Sequence, residues 1–208
     1  AFQAAQRFLL RPRAWVRAIG ACVMRSAGLR RAEFITVHIR NSPEKTKELH
    51  WTGRSVPPPH AYPLLVEAVS AAMAEIRPRL APPVFLQTAS AESLESFASA
   101  IPASRLSFTR NTNRADADGW GGWRTTQKAR EVTAHGTIAA VNLWVGSQAA
   151  AVISPASSAW TNLLVGLVHG PRAGRALVAE DSTANGLGAL GTVRVCCQCA
   201  ARKEGREA

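Results

Sequence analysis

The feature that most constrains the fold is an alternation of short apolar runs with longer segments of helical periodicity. The runs that predict strands are rich in β-branched or aromatic residues: FITVHI (34–39), PPVFLQT (82–88), RLSFT (105–109) and AAAVIS (149–154). Short apolar runs that are rich in β-branched residues and bounded by charge, such as FITVHI, are typical of strands buried on both faces. Strands separated by helices of ten or more residues predict right-handed crossovers and a mainly parallel α/β sheet with flanking helices.

The helical segments are predicted from apolar residues at three-to-four spacing. Such residues occur on both sides of Pro12, which ends one helix and begins another, and Gly28 is expected to end the second. Trp144 and Trp160 fall on predicted helices and are expected in the core. The remaining helices are predicted from about 61 to before Pro78, over 90–101 with Ser90 at its start, over about 125–147 and over 156–170.

The positive charge of the chain is concentrated towards its beginning. The net charge is +11, and residues 1–54 hold eleven Lys or Arg and three acids. Such a bias is typical of proteins that bind nucleic acids, anionic membranes or anionic small molecules. The six Trp residues do not interleave with the basic residues as a stacking surface for nucleic acid would, so nucleic acid is not the predicted partner.

Length and composition predict one domain with a tail. The chain has 208 residues, 47% of them apolar, and it has no apolar run near the ~18 residues of a membrane span. We predict that residues 1–171 form the domain and that residues 172–208, rich in Gly and Ala without periodicity, form a divergent or partly disordered tail. The tail holds the CCQC cluster, whose one Cys-x-x-Cys without a second pair is weak evidence for zinc.

Polar residues follow three of the predicted strands. His38 and Arg40 end the first, Thr88 ends the second, and Ser157 and Ser158 follow the fourth. Because parallel sheets bind ligands at the carboxyl ends of their strands, we expect these side chains at one edge. An arginine there suits a phosphate, since its planar guanidinium can donate two charge-assisted hydrogen bonds. The alternative is that these residues are an ordinary strand end and helix cap.

Four ordered segments are spread over roughly residues 3–169: FLLRPRAW, VHIRNSPEKTKE, VFLQTAS and VNLWVGSQAAAVISPASSAWTNLL. Together they resemble the carboxyl-terminal half of the α-1,6-fucosyltransferases, the GT23 family. The resemblance implies the Rossmann-like, donor-binding half of a GT-B glycosyltransferase. Such an enzyme transfers fucose from GDP-fucose to a glycan acceptor with inversion, and it uses neither a metal nor another cofactor.

The same resemblance implies roles for individual residues. Arg40 would neutralise the diphosphate, and Ser158 would contact a phosphate at a helix start. His38 and Asn142 would face the guanine. Glu48 falls at the spacing of a carboxylate that takes the proton from the acceptor hydroxyl. The implied reaction is a displacement at the anomeric carbon of fucose, with GDP as the leaving group.

The sequence departs from the family pattern next to its arginine. The family continues with a second Arg and an Asp-Lys pair, where this chain has Asn41, Ser42, Pro43 and Glu44, and it has Asp where Asn142 stands. Two interpretations therefore stay open. One is an active or weakened fucosyltransferase-like enzyme, and the other is a non-catalytic domain that binds a nucleotide sugar or a partner.

The start of the chain lacks the order of charged, apolar and small residues that marks a signal peptide. It also begins with Ala rather than Met, so we interpret it as part of a longer protein. By the family resemblance we expect a location on the lumenal side of the Golgi membrane. Contact with that membrane is expected only through an upstream segment that this chain does not contain.

Overall fold

The computed structural model of the protein describes residues 11–39, 58–76, 81–88, 90–109, 129–155 and 159–168. These segments contain five helices and four strands in alternation. In chain order they are α1 (Ala14–Ser26), β1 (Ile35–Ile39), α2 (Ala61–Ile76), β2 (Val84–Thr88), α3 (Ala91–Ala100), β3 (Leu106–Phe108), α4 (Ala129–Gly146), β4 (Ala151–Ile153) and α5 (Ala159–Val168). All four predicted strands are confirmed.

The strands form one parallel sheet in the order β3-β2-β1-β4. The chain moves in one direction from β1 through β2 to β3, and then crosses back to place β4 on the other side of β1. This reversal is the topological switch point of a doubly wound sheet, and it lies between β1 and β4. The predicted Rossmann-like α/β fold with flanking helices is therefore confirmed.

Helices cover both faces of the sheet, and this explains why the strands are largely apolar on both sides. On one face, α2 and α3 pack against alternate strand residues, and the buried side chains of this cluster include Ile35, Val37, Val66, Leu86, Phe97 and Ile153. On the other face lie α1, α4 and α5. Their buried clusters include Val16, Phe34, Phe85, Val145, Val152 and Leu164.

The end of α1 sets the approach of the chain to β1, and it ends at the glycine that the sequence indicates. Gly28 has a φ of +64°, where a side chain would be strained. Its N–H donates to the carbonyl of Arg25 at 3.2 Å, and the N–H of Leu29 donates to that of Met24 at 2.8 Å. This is a Schellman motif, and Met24 and Leu29 meet in one apolar cluster.

Arg105 holds together the amino edge of the sheet. Its guanidinium lies 3.0 Å from the Glu67 carboxylate and donates to the Ser70 hydroxyl at 3.1 Å and to the Pro82 carbonyl at 3.3 Å. These contacts join α2 to the residues that precede β2 and β3. Arg105 therefore has a structural role at the edge opposite to the carboxyl ends of the strands.

The helix predicted before Pro12, the start of the helix predicted from about 125, and the tail lie outside the described residues, as does the boundary at 171. The division into domain and tail stays a prediction. None of the helices in the described segments combines the length and apolar character needed to cross a lipid bilayer.

Candidate functional site

The carboxyl edge of the sheet carries a row of polar side chains, one from each strand or from the residue after it. The register sets His38 of β1 opposite Gln87 of β2. Ser154 and Thr109 directly follow the last paired residues of β4 and β3. Residues opposite one another on neighbouring parallel strands point to the same face, which here is the face covered by α4 and α5. The row therefore crosses the switch point between β1 and β4.

Gln87 is the centre of this row. Its side chain is buried, with 4% of the residue exposed. Its amide nitrogen donates to the backbone carbonyl of Asn142 on α4 at 2.8 Å, and its amide oxygen accepts from the indole N–H of Trp160 on α5 at 2.9 Å. An unpaired buried amide costs about 1 to 3 kcal/mol, so these two contacts explain how an otherwise apolar strand accommodates it. They also fasten both helices to β2.

Trp160 brings α5 against the end of β1. The centroid of its indole lies 6.0 Å from that of the His38 imidazole, and the two planes are tilted by 39°. This is an ordinary geometry for a favourable pair of aromatic rings. Both residues are half-buried, and Trp160 also packs against the cluster of Val152 and Leu164.

The turn from β4 into α5 is fixed by buried hydroxyl groups. Thr161 donates to the carbonyl of Pro155 at 2.6 Å, and the hydroxyls of Thr161 and Ser154 are joined by a hydrogen bond. Both side chains are 2% exposed. The first turn of α5, with the positive end of its dipole, is thereby held beside the switch point.

A second turn at the same edge leads from β2 into α3. The Thr88 hydroxyl accepts from the N–H of Ser90 at 3.1 Å, and the Ser90 hydroxyl accepts from the N–H of Ser93 at 3.2 Å. Ser90 is therefore the N-cap of the helix that the sequence predicts. The Thr88 oxygen takes part in this helix start, and a contact of Thr88 with a donor nucleotide stays a prediction.

Three of the predicted site residues, His38, Thr88 and Asn142, lie within the described segments and at the carboxyl edge. Asn142 is half-buried on α4, and its side-chain oxygen accepts from the Thr109 hydroxyl at 2.8 Å. The other four predicted site residues are outside the described residues: Arg40, Glu48, Ser157 and Ser158. Among the described residues, no three His, Cys, Asp or Glu side chains come together as a metal site would require.

The sequence interpretation did not include Gln87 and Trp160 in the site. The signal for Gln87 was present, because it is a polar residue inside the apolar run VFLQT. Trp160 was expected in the core. Its ring does pack there, but its N–H also donates to Gln87 in the polar row. This contact depends on β2 lying beneath α5, which the sequence does not show. Trp144 packs against the cluster between α1 and α4, in agreement with the expectation.

Gly146 lets the end of α4 lie close over Gln87, and this gives a stability prediction. A Cβ atom at Gly146 would lie 2.5 Å from the Gln87 amide nitrogen and 2.8 Å from a Leu164 methyl. We expect Gly146→Ala to lower the free energy of unfolding by about 1 to 3 kcal/mol, measured by urea denaturation, because the buried amide must shift. Gly136→Ala, on the exposed part of the same helix with nothing within 4 Å, should raise it by about 0.5 to 1 kcal/mol. Equal effects would show that α4 does not approach β2 in this way.

Comparisons with known proteins give a limited result. No protein-family model and no curated protein matches the sequence. Among solved structures, similar ones are NodZ α-1,6-fucosyltransferase soaked with GDP-fucose (18% identity, TM-score 0.43), fucosyltransferase NodZ from Bradyrhizobium (18%, 0.41) and NodZ co-crystallised with GDP (20%, 0.41).

These alignments cover 73 to 74% of this chain. The chain spans about two fifths of the length of the solved structures it matches, 41 to 42%. Similarity at this level establishes neither membership of the family nor an activity, so the function of this chain has to follow from its own residues.

Proposed function

We propose that this chain is the nucleotide-binding part of a glycosyltransferase that transfers fucose from GDP-fucose to a glycan acceptor, with inversion and without a metal. GDP would lie at the carboxyl edge of the sheet, across the switch point between β1 and β4. Arg40, Ser157 and Ser158 would bind the diphosphate, while His38 and Asn142 would face the guanine.

The observation that carries the proposal is the coincidence of the sequence motif with the switch point. Open α/β sheets bind their ligands in the crevice outside the carboxyl ends of the strands on either side of this point. β1 ends at Ile39, directly before Arg40 in the sequence, and β4 leads through Ser154 and Pro155 into the segment that contains Ser157 and Ser158. The residues assigned to the phosphates thus follow, in the sequence, the two strands that border the crevice.

An anion is expected to bind at this edge because α5 begins there, at Ala159, after β4. The start of a helix attracts phosphate through its backbone N–H groups and its dipole. Basic residues are also concentrated in residues 1–54, which include the whole of β1. Charge developing on a leaving diphosphate would be stabilised by the Arg40 guanidinium and by this helix start.

The second candidate is a non-catalytic domain that binds a nucleotide sugar. The sequence after Arg40 favours it, since Asn41 to Glu44 replace the basic and acidic residues of the family pattern. Nucleotide binding at the switch point is common to both candidates. They separate at turnover: only the first predicts transfer of fucose by the full-length protein.

Isothermal titration calorimetry with GDP, GDP-fucose and UDP tests the shared part of the proposal. We expect GDP and GDP-fucose to bind, and UDP to bind about tenfold more weakly, because one or two hydrogen bonds to the guanine are lost. Equal affinity for GDP and UDP would contradict the proposed contacts with the guanine. Absence of binding to either nucleotide would contradict the proposed nucleotide site.

A further prediction concerns metal ions. Because the phosphates are assigned to Arg40 and to the start of α5, we expect the affinity for GDP to be the same in EDTA as in millimolar magnesium. The measurement is the same titration repeated in both buffers. A strong magnesium requirement would contradict the assignment, since it would mean that a cation neutralises the diphosphate.

A further inference from the structure

We propose that Gln87 and Trp160 are positioning residues: Gln87 holds the indole of Trp160, and the indole fixes the orientation of the His38 imidazole at the crevice. The proposal rests on the proposed function in one respect, namely that His38 is the residue offered to the nucleobase. It adds two residues that were given no role in the site from the sequence, and it assigns to them the selectivity for the base.

Gln87 has two partners on two different helices. Its buried amide donates to Asn142 on α4 and accepts from Trp160 on α5. A planar amide with both ends engaged has one orientation, because flipping it would set donor against donor at Trp160 and acceptor against acceptor at Asn142. The indole N–H of Trp160 is thereby given a fixed acceptor in the sheet.

The indole of Trp160 contacts the imidazole of His38. With its N–H held by β2 and its body packed against Val152 and Leu164, the Trp160 indole has little freedom to rotate. It lies beside the imidazole of His38 with the centroids 6.0 Å apart. The indole therefore restricts the imidazole on one side.

The positions of His38 and Asn142 bear on how the protein would recognise the base. Hydrogen bonds to a base discriminate between bases only when the protein group is held in the correct direction before binding. Asn142, the other residue assigned to the guanine, is held by the same network through its backbone carbonyl and through Thr109. One buried glutamine therefore contacts the backbone of Asn142 directly and the imidazole of His38 through the indole of Trp160.

The test compares Gln87→Leu with Gln148→Leu. Gln148 is a half-buried glutamine that follows the end of α4 and donates to the Trp144 carbonyl and the Ser147 hydroxyl, away from the carboxyl edge. The same substitution at Gln148 thus controls for the loss of an amide. The readouts are the ring resonances of the histidines in two-dimensional NMR spectra, with His38 assigned by its loss in His38→Asn, and the affinities for GDP and UDP.

We expect Gln87→Leu to shift the His38 ring resonances while those of the exposed His60 stay in place. The affinity for GDP should fall about three- to tenfold, the value of a neutral hydrogen bond, while that for UDP changes little, so that the preference for GDP is reduced. Gln148→Leu should change none of these. Trp160→Phe keeps an aromatic ring but lacks the N–H, and it is the second variant in case Gln87→Leu folds poorly. It should shift the His38 ring resonances in the same way.

Unchanged His38 resonances in Gln87→Leu and Trp160→Phe would overturn the proposal, as would an equal loss of GDP and UDP affinity. Failure of the proposed function gives a different pattern. In that case the wild-type protein binds no GDP, yet the His38 resonances still respond to Gln87→Leu and not to Gln148→Leu, which supports the positioning of His38 by itself.

Discussion

GDP binding by the Arg40→Ala variant is expected to be about ten- to a hundredfold weaker than binding by the wild-type protein. The reason is that the guanidinium is assigned two charge-assisted hydrogen bonds to the diphosphate. Arg40→Lys should restore part of the loss, since lysine keeps the charge but cannot make the two-pronged contact. The measurement is calorimetric titration with GDP. Unchanged affinity in Arg40→Ala would show that the diphosphate is bound elsewhere.

Arg105→Ala is the matched control for the loss of a positive charge. Its guanidinium is engaged at the amino edge by Glu67, Ser70 and Pro82. We expect the free energy of unfolding to fall by about 1 to 2 kcal/mol, mainly because the buried Ser70 hydroxyl and Pro82 carbonyl lose a donor. The half-exposed Glu67 carboxylate contributes little. The GDP affinity of Arg105→Ala should not change. A loss of GDP affinity equal to that in Arg40→Ala would show that the Arg40 result reflects only the loss of a positive charge from the protein.

The largest effect is expected for Glu48→Gln in the full-length protein. Glu48 is assigned only to the proton of the acceptor hydroxyl, so the substitution should lower the rate of fucose transfer by about a hundredfold or more. GDP affinity should stay nearly intact, because the residue makes no contact with the nucleotide in this assignment. The two measurements are the initial rate of transfer to a glycan acceptor and the titration with GDP.

The outcomes of this experiment separate the two candidate functions. Transfer by the wild-type protein together with its loss in Glu48→Gln supports an enzyme with Glu48 as base. Transfer that survives the substitution would assign the base to another residue. A full-length wild-type protein that binds GDP and transfers nothing would leave the non-catalytic nucleotide-sugar-binding domain as the better account.

The local parts of the fold could be predicted from the sequence because their causes are local. FITVHI and VFLQT are strands because they are short runs rich in β-branched and aromatic residues, and helices cover both faces of the sheet. Gly28 ends α1 because it is the residue that adopts a positive φ without strain. Ser90 begins α3 through its hydroxyl. Each of these depends on residues within a few positions of one another.

The order of the strands and the polar row could not be predicted in this way. Gln87 and Trp160 are 73 residues apart, and they meet because β2 and β4 flank β1. Periodicity shows that a residue faces a core or solvent, but it does not show which distant helix covers it. The sequence therefore indicated His38 and Asn142 through a family resemblance, and missed the glutamine that joins them.

The central claim is that the carboxyl edge at the switch point is a nucleotide site, and mapping GDP onto the backbone tests it most directly. In a titration followed by NMR, we expect the amide resonances of His38, Ile39, Thr88 and Ser154 to move. Those of Val84 and Arg105, at the amino edge of the same sheet, should stay in place. Saturable shifts confined to the carboxyl edge agree with the account. Shifts at the amino edge, or no shifts with GDP at millimolar concentration, would contradict it.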